Sequence, residues 1–405
     1  MDKINLNLLK KRQQKEKRFK SYGLLAIIAA ISFLIILLTT IITQGYKGFY
    51  VSKIALNIDL SNNREIAKLD HRQIIKQSLR NKFSDANTIS EINSLYQLIS
   101  KIAYIELRDQ IIADPNLLGK KTKIYLRASS KADMFFKYNN QTTLNKNQQK
   151  WLNHIKSQKE YKTIFNLSFF TIADSREAEI AGIGASLLGS FFTMVIFLIL
   201  AFPIAIMCAF YLEEFAPKNR LTDIVEISIN NLAAIPSIIY GLLGLTIYLQ
   251  IMHLPRSSAL AGGMTLFMLV LPIIIIATRN TIRSIPKAIK DAALALGASK
   301  MQIAIHHLLP LSLPGIMTGT ILAISRALGE TAPLLMIGMV AFIADVPRNF
   351  KDPTTVLPVQ IYLWSDSPEM GFSEKTSAAI LILLIFLILF NLSAIIIRKK
   401  FEKKW

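Results

Sequence analysis

Six stretches of this chain are each apolar for about twenty residues or more: 22–43, 184–212, 229–252, 258–279, 313–343 and 377–398. A hydrocarbon core about 30 Å thick is crossed by about 20 helical residues. Inside it every backbone N–H and C=O must be paired within the protein, which leaves helices and closed barrels. Barrel strands are shorter and alternate between lipid-facing and lumen-facing residues, whereas these blocks are uniformly apolar. The chain is therefore expected to be a polytopic α-helical membrane protein with six transmembrane helices. A hydrophobic content of 52% over 405 residues is too high for an ordinary soluble enzyme. The first block is longer than a signal-peptide core and no small-residue cleavage site follows it, so it reads as a retained anchor.

Orientation follows from the basic residues. Lysine and arginine crowd 1–21, 279–300 and the carboxyl tail, while the short loops of the opposite side hold only Arg256, Arg348, Lys351 and Lys375. Both termini are expected in the cytoplasm. The net charge of +20 needs no nucleic-acid partner, because basic flanks beside anionic lipid are the usual arrangement. The single cysteine, Cys208, excludes an intrachain disulfide or a cysteine metal cluster. Asp70 and His71 have no metal-ligand spacing around them, and no metal or cofactor is expected.

The organisation expected is a basic cytoplasmic tail (1–21), a first span (22–43), an extracytoplasmic domain (44–182), a five-helix core (183–398) and a short tail (399–405). In the external segment, residues 64–83 place Ile66, Leu69, Ile74, Ile75 and Leu79 at helical spacing, EINSLYQLISKIAYIELRDQII reads as a second helix, and TKIYLRAS as a strand. An inserted α/β or α+β domain is expected. Its positive charge either gathers anions by field effects or is an ordinary soluble surface.

Between the fourth and fifth blocks runs DAALALGASKMQIAIHHLLPLSLPG, residues 291–315. Pro286 suits a first helical turn. KAIKDAALAL then forms one helix that stops at Gly297, a good C′ residue. Ser299 can cap a second helix that ends before Pro310. Ala292, Ala293 and Ala295 let another surface approach closely. A long connection with ordered helices is usually functional, and the plain alternative is a helical hairpin resting on the membrane.

Among Asp, Glu, Lys and Arg, only Arg326 and Glu330 fall inside the blocks away from their ends. Spaced i, i+4, they share a helix face and can pair. Charges at that depth are costly and usually face a cavity or partner. Pro333 predicts a kink or break beside them. A guanidinium offers a planar fork suited to tetrahedral oxyanions, and the alternative role is a structural Arg–Glu bridge. Arg279, at a block end, reads as a snorkelling anchor or a pathway residue. Pro203 and Pro236 predict further kinks. Gly315 and Gly319 form a G-x-x-x-G for close packing. The chain has no G-x-x-x-x-G-K-[ST], so no phosphate-cradling loop of that kind is expected in it and ATP hydrolysis falls to a partner.

The segment Asp291-Ala292-Ala293, three residues, Gly297, nine residues, His307, one residue, Leu309-Pro310 resembles the EAA loop of ABC importer permeases. It departs from that pattern at Asp291, where the family has glutamate, and at His307, where it has isoleucine. The stretches VEISINNLAAIPSIIYGLLGL, VLPIIIIATRNTIRSIPKAIKDAALALGASK and SLPGIMTGTILAISRALGETAPLL are similar to phosphate importer permeases of the PstA type. The resemblance covers about residues 180–398, and the external domain resembles an extra domain found in a subset of that family. It implies a type I ABC importer permease fold whose 285–312 loop couples to an ATPase subunit through Asp291, Ala292, Ala293, Gly297, His307, Leu309 and Pro310. It implies a phosphate pathway lined or gated by Arg326, Glu330 and Arg279. The implied partners are a second, related permease, a pair of cytoplasmic ATPase subunits, an extracytoplasmic phosphate-binding protein and membrane lipid. His306 and His307 are expected to dock or pack rather than bind metal. The competing readings are a permease for another oxyanion such as sulfate or molybdate, and a non-transport membrane sensor.

Overall fold

The computed structural model describes residues 6–61 and 70–401. Helix α1 (Leu6–Gly45) has 40 residues, about 60 Å at the helical rise, so its basic first half extends beyond a hydrocarbon core. Its end leans on the last helix of the chain. A Cβ on Gly45 would lie 2.8 Å from the Ser377 carbonyl oxygen, a contact only glycine permits.

The inserted domain, read in the sequence as extracytoplasmic and called the external domain after that reading, is built on strand β1 (Tyr50–Asp59). Its residues Ile54, Leu56 and Ile58, with Leu60 just beyond, follow a period of two and are fully buried. Helices α2 (His71–Lys82), α3 (Ile89–Tyr96) and α4 (Ala103–Ala113) follow, then β2 (Lys121–Arg127), α5 (Ser130–Tyr138), α6 (Lys146–Ser157) and β3 (Tyr161–Phe165). The sheet is antiparallel in the order β2-β1-β3, which makes the domain α+β. Side chains fix the helix starts: Asp70 accepts from the Gln73 N–H, and Thr88 with Glu91 and Asn145 with Gln148 form capping boxes. The core joins Ile75, Leu79, Leu95, Leu107, Phe135 and Trp151 to β1.

Two sequence expectations change here. The helix read over 64–83 starts at His71, and Ile66 and Leu69 lie outside the described residues. The helix read from Glu91 to Ile112 is two helices. Its middle leaves helical geometry so that Ile99 can bridge to Ala128 and the Ser100 N–H can reach the Arg127 carbonyl at 3.0 Å, extending the sheet edge.

After the short α7 (Ser168–Thr171) the core begins with α8 (Gly184–Phe210), which contains Pro203 and continues through a widened turn, Tyr211–Phe215. Next come α9 (Arg220–Ala234) and α10 (Ser237–Gly244, extended by wide turns to Ile251), then α11 (Ala259–Ser284), α12 (Lys287–Ala295), α13 (Lys300–Ile303), α14 (Leu309–Gly329), α15 (Ala332–Met336), α16 (Leu357–Ser365) and α17 (Met370–Phe401). α11 packs along α8 on one side and α14 on another, and α17 lies between α14 and α1. Phe197, Ala201, Leu266, Val270, Ile274 and Ala323 fill the centre. The G-x-x-x-G of α14 makes its closest approach to α11: a Cβ on Gly315 would meet Thr281 at 2.4 Å, and one on Gly319 would meet Ala277 at 2.3 Å.

Among the described residues, five helices are long and apolar enough to cross a membrane, and a bent pair brings the number to as many as six. That pair is α9 and α10, which meet at 102°. The block 229–252 is therefore not one straight span. Pro236 is the N-cap of α10 and lacks the N–H that would continue α9. The block 313–343 also shortens: α14 ends at Gly329, and Glu330 turns extended with φ −80° and ψ 124°.

The external domain is fastened to the core by buried charges. Lys137 lies 2.7 Å from Asp133 of its own helix and 2.7 Å from Glu374 of α17. Arg127 donates to the Glu179 carbonyl at 2.8 Å, while the Glu179 carboxylate accepts from the Ser130 N–H at 3.2 Å.

Candidate functional site: a helical lever and a charged span

The lever is built around Gly297. α12 closes with the Ala298 N–H on the Ala293 carbonyl at 3.1 Å and the Gly297 N–H on the Leu294 carbonyl at 2.9 Å, a Schellman ending that requires the left-handed φ of +82° found at Gly297. Ser299 and Gln302 then form a capping box. The chain does not stop before Pro310, as its proline chemistry suggested. From Ala304 to Leu308 the helix widens, and the Leu309 N–H reaches back five residues to the Ala304 carbonyl. This wide turn accommodates the missing N–H of Pro310, so Lys300–Gly329 is one continuous 30-residue helix. The lever's second arm is thus the end of a span rather than a separate helix.

The seven loop residues divide by environment. Asp291, Ala292, Gly297 and His307 are exposed, Leu309 and Pro310 are half-buried, and Ala293 is buried against Ile303, Ala304 and Leu308. Ala293 therefore packs the two arms together instead of facing a partner. The outward face carries Leu294, Leu296, Met301 and Ile305, with Leu296 90% exposed. Exposed apolar clusters of that kind occur where a protein meets a partner or a membrane.

Beneath the lever lies an ion cluster. Buried Arg279 is 2.6 Å from Glu213 and 2.5 Å from Glu226. Arg283 is 2.9 Å from Glu213, and Lys290 of α12 pairs with Glu214. The cluster links the end of α8, α9, α11 and α12. Arg279 is neither a lipid-facing anchor nor a free guanidinium. Sequence reading missed Glu213, Glu214 and Glu226; the available signal was a pair of carboxylates just past a span, facing a strongly basic loop.

The second locus is where α14 breaks. Arg326 Nε lies 3.6 Å from Glu330 Oε1, with the side chains 43% and 19% exposed. That separation exceeds the 2.7–2.9 Å or so of a close charge-assisted bond, so the guanidinium is only loosely held. Ser325, one position back, is bound to α17: Asn391 Nδ2 donates to its hydroxyl at 3.0 Å. Adjacent helical residues point about 100° apart. Fixing Ser325 toward α17 therefore turns Arg326 away from it, toward the side of α10, whose buried Tyr240 packs in the same cluster as Ala323 and Ala327. Tyr240 also donates to the Leu232 carbonyl at 2.6 Å across the 102° bend. A cavity of about 680 Å³ lies elsewhere, lined by Arg72, Lys76, Glu177, Glu179 and Glu369 where the external domain meets the core. No group of metal-ligating side chains occurs among the described residues.

Comparison with known proteins agrees with this architecture. Residues 201–405 match the family described as binding-protein-dependent transport system inner membrane component, and residues 7–146 match a family described as a domain of unknown function (DUF3333). A probable ABC transporter permease protein of Bacillus subtilis, YqgI, is 30% identical over 56% of this chain and 82% of its own length. The phosphate transport system permease protein PstA of Haemophilus influenzae is 30% identical over 56% of this chain and 79% of its own. The protein of that name from Yersinia pestis is 32% identical over 54% and 73%. Among solved structures, the inward-facing MetNI methionine ABC transporter aligns with a TM-score of 0.45 at 19% identity, covering 55% of this chain and 98% of that one. The family match over residues 201–405 and the relatives at 30–32% identity make the chain a member of the binding-protein-dependent transport system inner membrane components, a multi-pass bacterial inner-membrane permease of the PstA type.

Proposed function

We propose that this chain is one membrane half of an ATP-driven phosphate importer. It forms the pathway with a second, related permease, receives phosphate from an external binding protein, and couples through its lever to a pair of ATPase subunits. The observation that carries the pathway is Arg326. A guanidinium in a span, 43% exposed on the lateral face and loosely paired, is too costly to face lipid. A water-filled route shared with a second subunit gives it solvent and gives an oxyanion its planar donors. The solute is assigned from the names of the PstA relatives.

The lever end of the bundle also holds the basic start of α1, and its Lys and Arg excess supports a cytoplasmic location for this end and for both termini. The exposed face of Leu294, Leu296, Met301 and Ile305 docks on the ATPase, with Asp291, Ala292, Gly297 and His307 beside it. Leu309 and Pro310 lie in and just after the wide turn that carries the movement into α14, and Ala293 holds the arms together. When ATP-driven closure shifts the lever, α14 moves with it as one body, changing where Arg326 and Glu330 point. Arg279 supports this movement by tying α8, α9 and α11 beneath the lever. The transition is a switch between two packings, driven by differential binding of the partner.

Radiolabelled phosphate uptake by the complex in vesicles, with unlabelled sulfate and molybdate as competitors, tests the reading. Saturable, ATP-dependent uptake resistant to both competitors is expected. Displacement by sulfate or molybdate would reassign the solute, and uptake unaffected by loss of this chain would favour a sensor.

A further inference from the structure

Among its described residues, the external domain exposes an apolar surface at the height where the spans end. Tyr46, Tyr50, Phe165, Leu167 and Ile172 are 48%, 41%, 52%, 68% and 39% exposed. Tyr46 opens the tight turn that follows α1. Tyr50 is paired with Phe165 across β1 and β3, their rings 5.8 Å apart at right angles. Three contacts set the height of this surface. The end of α1 meets α17 at Gly45 and Ser377, Gly48 abuts Glu374 and Ala378, and the Ile172 carbonyl oxygen lies against Gly182 and Gly184, where α8 begins.

We infer that this surface lies on the bilayer: the external domain rests its Tyr46–Tyr50–Phe165–Leu167 face in the headgroup–acyl boundary of the leaflet on its own side. The occupant follows from continuity. The surface follows directly on the end of α1, whose Leu34, Ile35, Ile36 and Ile42 are exposed as a span facing lipid would leave them. Tyrosine suits that boundary, since its ring is apolar and its hydroxyl stays wet. An exposed cluster of this size on a water-facing domain would instead invite aggregation. The inference does not depend on which solute is carried.

The arrangement fixes the domain's posture. β1 rises from the membrane at Tyr50 and ends about 30 Å away at Asp59, given its ten residues. Ile112, 55% exposed at the end of α4, is on the side of the domain near the distal Asp59–Lys121 pairing.

Spin labelling tests this in the full complex, reconstituted in vesicles of phosphatidylglycerol and phosphatidylethanolamine. Cys208→Ala provides a cysteine-free background, and labels are placed by Phe165→Cys, Leu167→Cys and Ile112→Cys. Collision with oxygen, which partitions into lipid, is compared with collision with a water-soluble nickel chelate. Oxygen is expected to exceed nickel at 165 and 167, and the order to reverse at 112. Nickel in excess at 165 and 167 would mean the surface faces water, and exclusion of both reagents would mean another protein covers it. Either result overturns the inference. Leu167 is the more exposed site, so its label reads the same surface if the change at 165 disturbs the Tyr50 pairing.

Discussion

Replacing Gly297 with valine tests the lever most directly, because the structure isolates the cause of any effect. A Cβ there meets nothing within 4 Å, so no clash within this chain confuses the result. What valine meets is the φ of +82°. A left-handed residue with a side chain costs about 1–2 kcal/mol, with a β-branched one at the upper end. A change of 1–2 kcal/mol alters a population by a factor of about 5–30. Alanine carries the lower part of this cost, and asparagine, which tolerates the conformation, much less. ATP hydrolysis and phosphate uptake measured together in vesicles should show uptake per ATP falling by roughly tenfold for Gly297→Val, from about 1.4 kcal/mol of strain. The loss should be smaller for Gly297→Ala and near zero for Gly297→Asn, with membrane assembly intact. A parental ratio for valine would refute the coupling argument. Equal losses for asparagine and valine would show that the docked partner excludes any side chain, and that backbone strain is not the cause.

Arg326→Gln should reduce uptake to background while the complex still assembles; failure to assemble would instead favour a structural bridge to Glu330. Glu213→Gln leaves buried Arg279 with Glu226 as its one remaining carboxylate and should lower stability by about 1.5–3 kcal/mol, read as a lower melting temperature in detergent; a change under about 1 kcal/mol would contradict a buried network. Ser325→Ala and Asn391→Leu should show a coupling of about 0.6–1.7 kcal/mol in a double-mutant cycle, and additivity would remove the clamp that aims Arg326. Burial raises the carboxyl groups of Glu179 and Asp174 above their ordinary values. The folded protein thus keeps these protons to higher pH than the unfolded chain, so their stabilisation is complete below the unfolded value, about 4, and is lost as pH rises through the folded one. Hydrogen exchange of the 127–137 segment should therefore slow as pH falls toward 5, after correction for intrinsic rates, and Glu179→Gln should flatten that dependence.

The parts of this fold legible in the sequence were those set by local chemistry. Apolar length located α1, α8, α11 and α17, and Gly297, Ser299 and Pro286 marked the lever's turns. The β2 strand was also readable. The period of two through Ile54, Leu56 and Ile58 could have given β1. What local chemistry did not give was how neighbouring turns share a proline. Pro236 ends α9 in a 102° bend, while Pro310 is absorbed by a wide turn and ends nothing. The difference lies in whether the preceding helix can bond five residues back. The Arg279 cluster was hidden because its partners are more than fifty residues away in sequence. Arg326 and Glu330 were found because charges are rare in spans, but only the Ser325–Asn391 bond explains their direction.

Helix α17 holds two anchor points near opposite ends. Close to its start Glu374 grips Lys137 of the external domain, and deeper in the membrane Asn391 grips Ser325. A tilt imposed on α14 at its lever end is therefore handed to the Lys137–Glu374 contact through a single stiff rod. On the proposed function, the domain at the far end becomes a pointer on that rod, its deflection tracking each movement of the lever.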